Sequence, residues 1–155
     1  MGRYAVNQIW RIKLSQKYEF SSDKKNMDVD AIHSYLSRSY WAENVPHNIV
    51  SKAVENSLCF GVFYNKSQIG FARLITDSAT FAYLADVYIL EEHRGKGLSK
   101  KLMENIIAHP QLQGLRRIVL ATYDAHTLYE KFGFKQLAKP QTFMELWKPE
   151  MYKTA

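Results

Sequence analysis

"EEHRGKGLSKKLM", Glu91 to Met103, sets Arg94, Gly95, Lys96 and Gly97 side by side and then continues as a helix. Leu98, Leu102 and Ile106, with Met103 and Ile107 beside them, form the apolar stripe of that helix, which "AHPQLQG" closes. Upstream, "DSATFAYLADVYIL" predicts a strand over roughly Ala82 to Leu90 that feeds straight into the turn. The first turn of a helix leaves about four backbone N–H groups unpaired and carries roughly half a positive charge, so it attracts anions. Gly95 and Gly97 keep side chains out of the way of a diphosphate approaching those amides, and Arg94, Lys96 and Lys100 add mobile charge. The stretch therefore reads as a phosphate cradle. Two familiar phosphate loops do not fit it. GxxxxGK[ST] fails because Leu90 stands where its first glycine belongs and Gly97 follows Lys96; GxGxxG fails because Lys100 takes the place of its third glycine.

Working outward, "WRIKLSQKYEF" alternates Trp10, Ile12 and Leu14 against Arg11 and Lys13, the period of a half-buried strand. Asp28 is a cap for a helix with Val29, Ile32 and Leu36 on one side. Pro46 suits the first turn of a second helix that carries Val50 and Val54 and ends near Asn56. From Ser57 the pattern alternates: Leu58, Phe60, Val62 and Tyr64, a turn at "NKSQ", then Ile69, Phe71, Arg73 and Ile75, which is a hairpin. Beyond the quoted helix, "RRIVLAT" is a short buried strand and "AHTLYEKF" a short helix, with Asp124 as its cap and Gly133 as its left-handed stop. "TFMELW" reads as a final strand. The strand–helix–strand crossover makes at least two strands parallel within an otherwise largely antiparallel sheet.

A chain of 155 residues, 46% hydrophobic and 14% aromatic, can bury one substantial core. No repeat or linker divides it, so we expect a flexible stretch over residues 1–9 and a single domain over 10–155. No apolar run approaches the roughly 20 residues of a membrane span. "MGRYAVNQIW" lacks the apolar core of a secretory signal, so a cytoplasmic location without a membrane partner is expected. The single cysteine, Cys59 in "LCFGVF", excludes an internal disulfide and reads as a packed thiol. Without CxxC or HxxxH spacing no metal is expected. The net charge of +6 gathers at Arg94, Lys96, Lys100, Lys101, Arg116 and Arg117. Sign alone does not separate nucleic acid from a phosphorylated ligand, but no aromatics for base stacking interleave with these cations, so nucleic acid is not expected as a partner.

The run Arg94, Gly95, Lys96, Gly97, Leu98, Ser99 resembles the acyl-CoA signature Q/R-x-x-G-x-G/A of the GNAT superfamily of N-acetyltransferases, with Ser99 in place of the last small residue. "YLADVYIL" is similar to that family's fourth strand and "LYEKFGF", Leu128 to Phe134, to its second conserved segment. Element order matches from about residue 15 to the C-terminus. The resemblance implies an α/β fold of α+β type: a central, mixed, mostly antiparallel sheet, splayed between its fourth and fifth strands, with helices on both faces. It implies acetyl-CoA as cosubstrate, with the pantetheine arm along the backbone of Val87, Tyr88 and Ile89. The diphosphate would meet Arg94, Gly95, Lys96, Gly97, Leu98, Ser99 and Lys100, and Thr122, Asp124 and His126 would flank the far side.

By the same resemblance Tyr129 is the acid that reprotonates the departing thiolate. The base is open. In some members a glutamate and an aspartate stand together on the fourth strand; here Ala85 holds the glutamate's place and Asp86 remains, either catalytic or paired with Arg73, and His126 competes for the role. Tyr40 and Trp41, in a loop with Glu43 and Asn44, and Arg73 are candidates to meet the acceptor. The implied reaction is direct acetyl transfer to a primary amine in a ternary complex. Its alternatives are a GNAT-like domain that binds CoA without turnover and a nucleic-acid-binding module. Whether the amine belongs to a small molecule or a protein, and whether the chain forms a homodimer, stay open.

Overall fold

Asn65 and Lys66 both have positive φ, 47° and 68°, the backbone twist a tight hairpin turn demands. They join β2 (Leu58–Tyr64) to β3 (Ser67–Thr76), at the expected "NKSQ" turn. A computed structural model describes residues 18–153 of the 155. The strand expected at Trp10, Ile12 and Leu14 and the flexible stretch 1–9 fall outside the described residues. The edge strand β1 (Tyr18–Ser21) pairs antiparallel with β2, and β3 pairs antiparallel with β4 (Phe81–Ile89). Asp77 organises the turn between β3 and β4: its carboxylate accepts from the amides of Ala79, Thr80 and Phe81 and from the Thr80 hydroxyl. Those bonds, to Thr80 first, hold its pKa far below the ordinary carboxylate range.

α3 (Leu98–Ala108) crosses over from β4 to β5 (Arg117–Leu120), and these two strands are parallel. Among the described residues the sheet has five strands in the order β1-β2-β3-β4-β5. Because strand side chains alternate between faces, the core divides in two. On one face α1 (Val29–Leu36) and α2 (His47–Glu55) bury Ile32, Leu36, Val50 and Val54 against Cys59, Phe71 and Tyr88. On the other, α3 and the short α4 (His126–Glu130) bury Leu98, Leu102, Met103, Ile106 and Tyr129 against Phe60, Val62, Leu74 and Leu84. Each of these larger side chains contributes about 1.5–3 kcal/mol by leaving water. No helix among the described residues is long and apolar enough to cross a membrane.

Asp28 caps α1 as expected, accepting from the Ala31 amide at 3.1 Å, while Pro46 sits one step earlier than expected, as the N-cap of α2. Gly133, at φ +88°, stops α4. Cys59 is packed: its thiol donates to Val54 O at 3.4 Å, and burial pushes its pKa up to about 11. Two expectations are corrected. Asp124 does not cap α4; the N-cap is Ala125, whose amide donates to Thr122 Oγ1 at 3.1 Å. "TFMELW" does not form a strand: a 3-10 turn spans Pro140–Thr142, and residues 143–148 follow without regular structure. A strand requires a neighbouring backbone to pair with as well as an alternating pattern, and here Met144 and Leu146 stay 96% and 85% exposed.

Candidate active site

β4 pairs with β5 only from Phe81 to Leu84, opposite Arg117 to Leu120. Past that point β4 bulges. Its register with β3 shifts between Phe71 and Arg73, and Asp86 takes φ +56°, a left-handed conformation that costs a non-glycine residue about 1–2 kcal/mol. After the bulge Tyr88 and Ile89 resume pairing with Phe71 and Gly70 of β3, while the side facing β5 has no strand partner among the described residues. The two strands thus part company, and a cavity of about 880 Å³ occupies the opening. Ala85, Val87, Tyr88 and Ile89 line one wall; Ala121 to Ala125, Leu128 and Tyr129 line the other.

The bulge is held from behind. The Asp86 carboxylate accepts from Arg73 Nε at 2.5 Å and from Trp41 Nε1 at 2.8 Å, and Arg73 also donates to Ser57 Oγ at 3.2 Å. The side chains of Arg73 and Asp86 are only 17% and 9% exposed, so each charge is largely withdrawn from water and leans on its partner. Arg73→Met should therefore strand the carboxylate and lower stability by about 2–3 kcal/mol. Thermal denaturation checks this; a melting temperature unchanged from the native protein would remove the pair from the account.

At the other end of the cavity lies the glycine-rich turn. Gly95 and Gly97 have φ +77° and +74°, and a Cβ at either would meet nothing within 4 Å. Backbone handedness, not crowding, calls for glycine there. Gly97 is the N-cap of α3 and has no side chain to offer; the first helical bond runs from Lys101 N to Gly97 O, so no intrahelical partner awaits the amides of Leu98, Ser99 and Lys100. Arg94 ties the turn down, donating from Nε to Ile89 O at 2.8 Å and from Nη2 to the Tyr35 hydroxyl at 3.0 Å. Lys96 Nζ donates to the Tyr18 hydroxyl at 3.2 Å. Leu98 turns its side chain into the core and has only its amide to present. Lys100 is exposed. Arg94 and Ser99 also line the cavity, which therefore runs unbroken from the start of α3 to Tyr129.

Tyr129 is nearly buried, and burial, with lesser contributions from Tyr40 and Asp124, pushes its pKa up to about 12. The phenol is thus kept neutral on the cavity wall. Of the residues singled out from sequence, Tyr40, Trp41, Val87, Tyr88, Ile89, Arg94, Ser99, Thr122, Asp124 and Tyr129 are on its walls. Gly95, Lys96, Gly97, Leu98 and Lys100 belong to the turn just beyond, while Arg73, Asp86 and His126 are not on the walls. Residues not foreseen join them. Tyr35 stacks on Tyr88 with ring centroids 3.9 Å apart, and the Arg38 guanidinium lies 4.5 Å from the Tyr35 ring. Arg38 donates to both oxygens of Glu91, at 2.7 and 3.0 Å, and this drives the Glu91 pKa down to about 2. Tyr83, Tyr123, Glu145 and Trp147 also line the cavity. Tyr123 stands next to the Thr122–Asp124 pair already flagged, and its isolation among small and polar residues was the one local sign of it.

The sequence profile of the acetyltransferase (GNAT) family matches residues 21–134, most of the described chain. A Gibberella zeae protein provisionally named an acetyltransferase is 36% identical over 137 residues, 74% of this chain and 76% of its own length. A crystal structure from Xanthomonas campestris pv. campestris, ascribed to the same family, aligns at 49% identity with a TM-score of 0.85, covering 87% of this chain and 96% of that one. A Clostridium acetobutylicum protein crystallised with acetyl-CoA shares the fold at 17% identity, with a TM-score of 0.61 over 83% of this chain and 94% of that one. The chain belongs to the GNAT acetyltransferase family.

Proposed function

We propose that the protein transfers an acetyl group from acetyl-CoA to a primary amine by direct attack in a ternary complex. The observation that carries this reading is the single cavity that joins an uncapped helix start, a strand edge without a strand partner among the described residues and a neutral buried phenol. The donor set suits the cosubstrate. Free amides at Leu98, Ser99 and Lys100 match a diphosphate, the space over Gly95 and Gly97 is clear, and the β4 edge at Val87 to Ile89, which has no strand partner toward β5 among the described residues and whose Ile89 O is held by Arg94, suits the amides of a pantetheine arm. Bound acetyl-CoA supplies an activated acetyl carbonyl. As the amine nitrogen bonds to that carbon and the carbon–sulfur bond breaks, Tyr129 gives its proton to the leaving sulfur and recovers one, through water, from the acetylated nitrogen.

Asp86, with both oxygens engaged by Arg73 and Trp41, serves in this reading to position the bulge and Trp41 and not as the base. The amine then arrives as the fraction already neutral in solution. The rate at limiting amine should accordingly rise with pH up to the ammonium pKa of whichever acceptor is used; a midpoint that stays put when the acceptor is changed would point to an enzymic base instead. The reading is tested by a panel of amines assayed for free thiol released from acetyl-CoA. Ala85, where some members carry a glutamate, favours the second reading, a domain that binds CoA without turnover: calorimetric binding of acetyl-CoA with no thiol release from any amine would select it.

A further inference from the structure

Charge is distributed unevenly along the cavity. Arg38 and Arg94 are its two wall cations, and both stand at the Tyr35 end with their bonds already made to Glu91, Ile89 O and the Tyr35 hydroxyl. Asp124 and Glu145 are wall carboxylates, and neither has an ion-pair partner among the described residues. Asp124 lies in the loop that leads into the short helix carrying Tyr129, and both residues line the same cavity. Open aromatic faces share the lining with these carboxylates. Tyr40 meets Tyr123 edge-on with centroids 5.6 Å apart, and Tyr40, Tyr123 and Trp147 remain 63%, 84% and 72% exposed. Open aromatic faces beside unpaired carboxylates attract organic cations and repel anions.

In the reading above the reacting amine arrives neutral, so it is not the cation recognised here. Any ammonium held by these groups belongs to another part of the same acceptor. We propose that Tyr40, Tyr123, Asp124, Glu145 and Trp147 form a second-cation subsite, which makes the acceptor an aliphatic diamine or polyamine in preference to an amine that bears a carboxylate or phosphate. The proposal rests on the acetyltransferase reading above.

Three acceptors of matched length test it: putrescine, butylamine and γ-aminobutyrate. The native protein should use putrescine about tenfold better than butylamine in kcat/KM and γ-aminobutyrate least well, the scale expected of one added charge contact. Glu145 is exposed, so Glu145→Gln should fold normally; it should raise KM for putrescine about tenfold, leave acetyl-CoA affinity as it was and erase the advantage over butylamine. Asp124→Asn provides an independent second variant. Thiol release without discrimination among the three acceptors, or a preference for γ-aminobutyrate, would overturn the subsite and leave the transferase standing. Calorimetric titration of putrescine into the CoA-loaded protein separates the two ideas. Heat present in the native protein and lost in Glu145→Gln, with no thiol released by either, would sustain the subsite and sink the transferase; no heat and no turnover would sink the subsite.

Discussion

Gly97→Glu should weaken acetyl-CoA binding by roughly 1,000-fold, a loss of about 4 kcal/mol. A diphosphate resting on the amides that open α3 gains charge-assisted hydrogen bonds of about 1.5–3 kcal/mol each, and a carboxylate at the N-cap both competes for those amides and repels the ligand. The fold should survive. A Cβ at this position meets nothing within 4 Å, so the cost to stability is that of a side chain at φ +74°, about 1–2 kcal/mol. Gly97→Ala carries the same backbone strain without charge or bulk and serves as the control; it should bind within about tenfold of the native protein. Calorimetry with acetyl-CoA, alongside a thermal melt, decides the matter. Native affinity in the folded glutamate variant would show that the diphosphate does not rest on this turn.

Tyr129→Phe should lower kcat by about 100-fold while acetyl-CoA affinity stays within about a factor of two, because the phenol is asked to act only as the carbon–sulfur bond breaks. No hydrogen bond of the Tyr129 hydroxyl to another described residue is lost, so stability should change by less than about 1 kcal/mol. The pH dependence follows from the direction of its shift. An ordinary phenol begins to ionise at about pH 9–10 and would stop donating there. With its pKa raised to about 12 by burial, Tyr129 keeps its proton through that interval, so kcat should show no descending limb before pH 10. Equal turnover by the phenylalanine variant would take the acid role away from Tyr129, and a rate that falls between about pH 8 and 10 would contradict the shift.

How far the site could be foreseen depended on the distance over which each signal acts. The shape of the glycine-rich turn was legible because all its parts are neighbours in sequence: glycines where φ must be positive, a helix that starts at once, cations alongside. The hairpin at Asn65–Lys66, the Asp28 cap and the packed Cys59 were legible for the same reason. The Arg73–Asp86 pair could be posed but not chosen, since pairing and catalysis ask for the same carboxylate; its second partner, Trp41, comes from 45 positions away. Arg38 and Glu91 are 53 positions apart and carry no common pattern at all.

Local composition, then, determined which segments coil, where the backbone must turn left-handed and where a helix opens without a side-chain cap, because handedness, capping and side-chain alternation are settled among residues a few steps apart. Which strand finds a neighbour, and which carboxylates are left unpaired, was decided only when the chain closed on itself. "TFMELW" alternates as a strand should yet has no ladder to join, and Glu145 and Trp147 on that same segment end on the wall of the cavity. Pairing and charge compensation are properties of the assembled surface, and no stretch of sequence contains its own partner.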